Sequence, residues 1–159
     1  MALFLSKYLN KVDRKGRVSV PAQFRLALAN QAFQGVVVYR SPKLRALDGF
    51  SMEQMEQLSA RLNTFDLFSE DQDDLATTIF GGSVPLPFDG DGRITLPEDL
   101  AEFVGVGEQV VFVGLGAKFQ IWEPAAYEAH EAEARERARG KGLTLPAMGP
   151  KPAGSEARP

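Results

Sequence analysis

The sequence predicts an α+β fold, mainly β, in which two copies of one hairpin–helix–hairpin unit pack together, with further helices between and after them. Three observations predict it. A segment near the N-terminus recurs 76 positions later, from Asp13 to Asp89. Each copy alternates apolar and polar residues around a turn that contains glycine. Capped runs of helical character separate and follow the copies.

The repeat is explicit. VDRKGRVSVPAQF at 12–24 superimposes on FDGDGRITLPEDL at 88–100, matching Asp13 with Asp89, Gly16 with Gly92, Arg17 with Arg93 and Pro21 with Pro97. The apolar positions follow, Val18 with Ile94, Val20 with Leu96 and Phe24 with Leu100. In each copy an apolar strand end meets a polar turn, where Gly supplies positive φ, and an alternating strand then stops at Pro. Period-two geometry puts Val18 and Val20 on one face and Arg17 and Ser19 on the other. The segments after Pro21 and Pro97 start short helices burying Phe24 and Leu28, and Leu100 and Val104. Second hairpins are predicted at 36–40 with 44–48, and at 110–114 with 118–122.

Elsewhere, Ser51 with Gln54 forms a capping box for a helix lined by Met52, Met55, Leu58 and Leu62. SEDQ at 69–72 repeats the signature, and Asp71, Asp73 and Asp74 suit a helix N-terminus. Pro124 opens a helix running to about Arg139 and ending at Gly140. The predicted organisation is a first unit at 3–51, connecting helices at 52–78, a second unit at 79–125, a C-terminal helix at 126–140 and a Pro/Gly-rich disordered tail at 141–159.

DGDGRI at 89–94 invites a calcium reading, since Asp89, Asp91 and Glu98 fall on EF-hand ligand positions around Gly92. Pro87 stands where the first ligand belongs, however, and the first copy has Arg14 and Lys15 in place of ligands. The shared unit is therefore read as a turn, with no metal and no other cofactor.

Composition excludes several classes. The chain has no cysteine, so disulfides and thiolate metal sites are out. Its longest apolar runs, such as VVVY at 36–39, are far short of the roughly 20 residues a membrane helix needs. MALFLSKYLN lacks a signal-peptide pattern, and a cytoplasmic protein is the expectation. The lone histidine, His130, sits in an Ala/Glu helix without a nearby nucleophile, and the glycines at 105, 107, 114 and 116 lack a P-loop ending. Trp122 and Tyr39 fit strand patterns. No enzyme is predicted.

Charge is distributed unevenly. Residues 1–45 hold nine cations against Asp13 alone (+8), residues 46–100 hold two against twelve acids (−10), and the remainder seven against eight (−1). A basic segment inside an acidic chain fits a face that meets a polyanion. It equally fits a patch that docks on acidic helices of a neighbour or partner, which is the competing reading: a protein-interaction module.

A unit of two hairpins is too small to close its own core, so two should pack together. This resembles the swapped-hairpin, double-split β-barrel of the AbrB and SpoVT transition-state regulators. With the unit duplicated and D-x-x-x-R present at Asp13/Arg17 and Asp89/Arg93, residues of about 3–140 resemble the MraZ family of bacterial transcriptional regulators, encoded at the head of the division and cell wall gene cluster.

The resemblance implies sequence-specific binding of double-stranded DNA through the first turn, at direct repeats upstream of the protein's own operon. It also implies a ring-shaped homo-oligomer associated with the nucleoid. Carried onto this chain, Arg17 is the first choice for base contact, the alternative being a structural role like that of Arg93; Arg14 and Lys15 neutralise phosphates in either case, and Lys7, Lys11 and Arg25 extend the surface. Asp13 and Gly16 structure the turn. Asp89, Gly92 and Arg93 are their structural counterparts, in a second turn where Gly90 and Asp91 disfavour phosphate.

Overall fold

A computed structural model describes residues 2–62 and 68–146. The first copy folds as β1 (Lys7–Lys11), β2 (Arg17–Ser19), α1 (Ala22–Ala27), β3 (Gly35–Arg40) and β4 (Leu47–Phe50). Helices α2 (Met52–Leu62) and α3 (Glu70–Ile79) follow. The second copy repeats the order as β5 (Val84–Pro87), β6 (Arg93–Thr95), α4 (Glu98–Val104), β7 (Gln109–Gly114) and β8 (Phe119–Trp122), before α5 (Pro124–Gly140). The segment 63–67 and most of the expected disordered tail, 147–159, lie outside the described residues.

Local chemistry sets the boundaries. Pro21 and Pro97 stand at the N-caps of α1 and α4 with extended ψ of 138° and 144°, which ends the preceding strand as the helix begins. Ser51 Oγ accepts from the Gln54 N–H at 2.9 Å, and Ser69 Oγ from the Gln72 N–H at 3.1 Å, satisfying donors that a helix start leaves orphaned. One boundary moves. The strand expected at 44–48 starts at Leu47, because Ser41 accepts two N–H bonds through Oγ, from Lys43 and Leu44, and donates its own N–H to the Ala46 carbonyl. That wide turn consumes residues 41–46.

The strands form an antiparallel six-stranded sheet in the order β1-β7-β8-β4-β3-β5 and a two-stranded ribbon, β2-β6. Each copy lends its first strand to the other: β1 pairs with β7, and β5 with β3, while β4 and β8 join at the centre. The two copies thus interlock about an approximate two-fold axis. The ladders stay open instead of closing into one barrel. The ribbon strands are three residues long, and β2 is tied back to β1 through the Val12–Val18 bridge and the Asp13 N–H to the Arg17 carbonyl.

One sheet face, α1, α4 and the underside of the ribbon enclose the main core. Phe4, Phe24, Phe112 and Phe119 form its aromatic centre, and Val18 and Ile94 plug into the same cluster from the ribbon. The ribbon therefore has one buried apolar face and one exposed polar face. On the opposite sheet face, Val37, Phe50 and Met55 pack with α2 and α3, while Val111, Val113 and Trp122 pack with Ala126 and Tyr127. Asp48 is buried there and paired. Gln120 Nε2 donates to it at 3.0 Å, the Lys118 ammonium lies 3.3 Å away, and Trp122 Nε1 donates on to Gln120.

Met1–Tyr127 forms one compact unit and the chain from Glu128 a second. Within the second, Glu131–Arg135 and Glu133–Arg137 pair at i,i+4, the spacing that supports a solvated helix. Among the described residues no helix is long and apolar enough to cross a membrane.

Candidate nucleic-acid interface

The two D-x-x-x-R turns are built alike, and the aspartate organises each. Asp13 Oδ1 accepts the backbone N–H of Lys15 at 2.9 Å and of Arg17 at 2.8 Å, while Oδ2 accepts Arg17 Nε at 2.7 Å. Asp89 repeats this with Asp91 N–H at 2.8 Å, Arg93 N–H at 2.9 Å and Arg93 Nε at 2.8 Å. A short side-chain acceptor is needed here because the turn leaves those N–H groups without strand partners. Gly16 and Gly92 take φ of 81° and 75°, and an added Cβ at Gly16 would also come within 3.1 Å of the Leu96 carbonyl oxygen.

These bonds fix the charge state of the turns. The Arg17 backbone N–H, then its side chain and the Lys15 N–H, hold Asp13 below the ordinary aspartate range. The Arg93 backbone N–H does the same for Asp89, followed by the Asp91 N–H and the Arg93 side chain. Asp89 raises the Arg93 guanidinium by its hydrogen bond, and the charges of Asp89, Asp91 and Asp13 add to this. A depressed carboxylate stabilises the folded form above its unfolded pKa of about 4 and loses that contribution as pH falls through the lower folded value. Both turns should accordingly hold from neutral pH down to about pH 4 and loosen only below it. Amide hydrogen exchange at Lys15, Arg17, Asp91 and Arg93 across pH 2.5–6, corrected for intrinsic rates, checks this; loosening already at pH 5–6 would contradict it.

The ribbon brings the turns together. Its register pairs Arg17 with Thr95, Val18 with Ile94 and Ser19 with Arg93. Directly paired residues point to the same side, so Arg17, Ser19, Arg93 and Thr95 share the exposed face above buried Val18 and Ile94. Asn10 Nδ2 donates to the Ser19 carbonyl at 2.7 Å and props that end. Arg17 engages Asp13 through Nε, and its side chain is partly exposed; Arg93 additionally offers Nη2 to Asp91 at 3.3 Å.

The six basic residues predicted for one surface divide. Arg14 and Lys15 are exposed at the first turn beside Arg17, and Lys11 lines the adjoining groove with Val12, Asp13 and Arg14. Lys7 does not join them. Four strand residues earlier, it lies on the outer sheet face with its ammonium 5.8 Å from the centre of the Tyr127 ring. Arg25 sits at the other turn, where Nε donates to the Val20 carbonyl at 3.1 Å and the guanidinium covers Gly92. Thr95 escaped attention in the sequence, although the repeat carried the signal: its offset partner is Ser19.

The family description "MraZ protein, putative antitoxin-like" matches residues 79–142. "Transcriptional regulator MraZ" of Rickettsia akari (strain Hartford) is 43% identical over 145 residues, covering 91% of this chain and 97% of that protein. The chain belongs to the MraZ family. Proteins of the same name from Rickettsia rickettsii (strain Sheila Smith) and Rickettsia bellii (strain OSU 85-389) are 43% and 41% identical, with the same coverage of 91% and 97%. The MraZ relatives thus align across both copies of the repeat.

Proposed function

We propose that this chain is a DNA-binding transcriptional regulator and not an enzyme, in keeping with the name its relatives carry. It reads duplex DNA at direct repeats upstream of its own division and cell wall operon. One observation carries the reading: a two-stranded ribbon, anchored by buried Val18 and Ile94, presents Arg17 on its polar face beside the exposed cations Arg14 and Lys15. A two-stranded ribbon is one of the elements a major groove admits, and an arginine fork matches guanine O6 and N7. Arg14, Lys15 and Lys11 then contact phosphates. The first unit, at 3–51, is the DNA-facing one and interlocks with the second at 79–125; connecting helices at 52–78 lie between them in sequence and a C-terminal helix at 126–140 follows.

A single ribbon makes few contacts, and each neutralised phosphate steepens the salt dependence by only about 0.9. Repetition of the ribbon around a ring-shaped homo-oligomer supplies the rest and places neighbours in one direction, as direct repeats require. The protein works in the cytoplasm on the nucleoid.

Fluorescence anisotropy with the duplex upstream of its own gene, against a scrambled duplex and over a salt series, tests this. The native duplex should bind more tightly, with log affinity falling linearly in log salt at a slope of several units. Equal, weak binding to both duplexes would overturn the reading in favour of the protein-interaction module, its basic face docked on acidic helices.

A further inference from the structure

We propose that the second turn, through Gly90 and Asp91, fixes the direction in which the ribbon lies along DNA. The inference rests on the DNA-reading role given above and adds its polarity. The ribbon is nearly two-fold symmetric about the Val18–Ile94 pair: Arg17 opposite Thr95 at one end mirrors Arg93 opposite Ser19 at the other. The two arginines are held by their aspartates at 2.7 and 2.8 Å, in the same Nε-to-Oδ2 geometry. A face with this symmetry offers nearly the same donors to a groove in either direction, so the motif residues alone cannot orient it.

The turn tips break the symmetry. Arg14, Lys15 and Arg17 against Asp13 leave the first turn at +2, while Arg93 against Asp89 and Asp91 leaves the second at −1. In the flanking grooves Lys11 and Glu108 cancel on the first side, and Arg25 brings the second to neutral, so a difference of two charges remains. Asp91 is 78% exposed and reaches Arg93 Nη2 at 3.3 Å, so Arg93 meets DNA already shared between two carboxylates. A backbone of phosphates running along both ends of the ribbon attracts the first end more strongly than the second.

No backbone bond or packing contact in the fold requires Gly at 90 or the Asp side chain at 91. Asp91 serves the turn through its backbone N–H, given to Asp89 Oδ1. No atom lies within 4 Å of a Cβ added at Gly90, and Gly90 is not among the residues of positive φ. The charge of Asp91, and the lack of one at Gly90, are therefore free to serve recognition.

The chain lacks cysteine, so a single Glu108→Cys carries an iron-chelate cleavage reagent beside the first turn, where residue 108 keeps its carbonyl bond to the Val12 N–H. The labelled protein is bound to the upstream duplex trimmed to one protected segment. Cleavage should favour one flank by about tenfold or more. Adding Gly90→Arg and Asp91→Lys should bring the two flanks to near equality and steepen the salt slope by about 2, for two new phosphate contacts. Asp91→Asn, the milder variant, should fall between, and circular dichroism confirms that each is folded. Cleavage of both flanks with the native turn, or of one flank in every variant, overturns the inference. Failure of unlabelled wild type to prefer native over scrambled duplex overturns the DNA-reading role itself and this inference with it.

Discussion

Arg17→Ala should abolish discrimination between the native upstream duplex and a scrambled one while leaving the protein folded. A bidentate arginine–guanine contact carries about 1–3 kcal/mol of discrimination, so the native duplex should weaken by roughly 5- to 150-fold and the scrambled one far less. The turn should survive the loss. Asp13 Oδ1 still accepts the N–H groups of residues 15 and 17, Asp13 N–H still donates to the residue 17 carbonyl, and Val18 still anchors the ribbon below. The freed Asp13 carboxylate adds repulsion toward phosphate, which lowers affinity for both duplexes by a smaller amount.

Arg17→Lys separates the fork from the charge: a lysine keeps the cation and loses bidentate geometry, so discrimination should fall while the salt slope stays. Equal weakening on both duplexes would reduce Arg17 to a phosphate contact. Unfolding, seen by circular dichroism, would make it a structural residue. The same assay on Arg93→Ala reports whether the second motif arginine, held between Asp89 and Asp91, contributes at all.

How much of this was readable beforehand depends on the range of the interaction. The turns are local, and their residues were legible: Asp13, Gly16 and Arg17 in one copy and Asp89, Gly92 and Arg93 in the other occupy matched geometry. Strand faces were legible too, because period-two alternation decides that Val18 is buried when Arg17 and Ser19 are not. Strand partners were not. Periodicity says which way a side chain points, never which strand lies beside it, so the pairing of β2 with β6 across 76 residues had to come from the fold. That pairing is what puts Arg93 and Thr95 beside Arg17.

The surface expected to extend from the first turn shows the same limit. Lys7 and Arg25 lie with Arg14 in one basic stretch of sequence. One strand face carries Lys7 toward Tyr127, and the helix after Pro21 carries Arg25 across to Gly92. A net charge has no geometry until the strands are placed.

Phe24→Ala should cost about 3–5 kcal/mol of stability, the range for deleting a fully buried aromatic side chain. Phe24 has no exposed surface, and its ring lies 5.1 Å from Phe4, 5.3 Å from Phe119, 5.6 Å from Tyr8 and 6.2 Å from Phe112, between centroids. These partners come from the N-terminal segment, β1, β7 and β8, so the cavity left behind opens where both copies meet. Such a cavity collapses poorly when its walls belong to a hydrogen-bonded sheet, which puts the cost toward the upper end. At about 2–4 °C per kcal/mol for a chain of this size, the melting temperature should fall by roughly 10 °C or more.

Leu26→Ala, two residues along the same helix and 72% exposed, is the control and should change stability by no more than about 0.5 kcal/mol. Urea denaturation of both variants decides the matter. Phe24 is also three residues past Pro21, where the chain leaves the ribbon for α1, and Val18 and Val20 belong to its cluster. Loss of the ring should therefore loosen the ribbon before the sheet, so that DNA discrimination declines at temperatures where the far-ultraviolet signal is still native. If the two losses coincide in temperature, the ribbon and the sheet melt as one cooperative body, and the presentation of Arg17 is as stable as the whole fold.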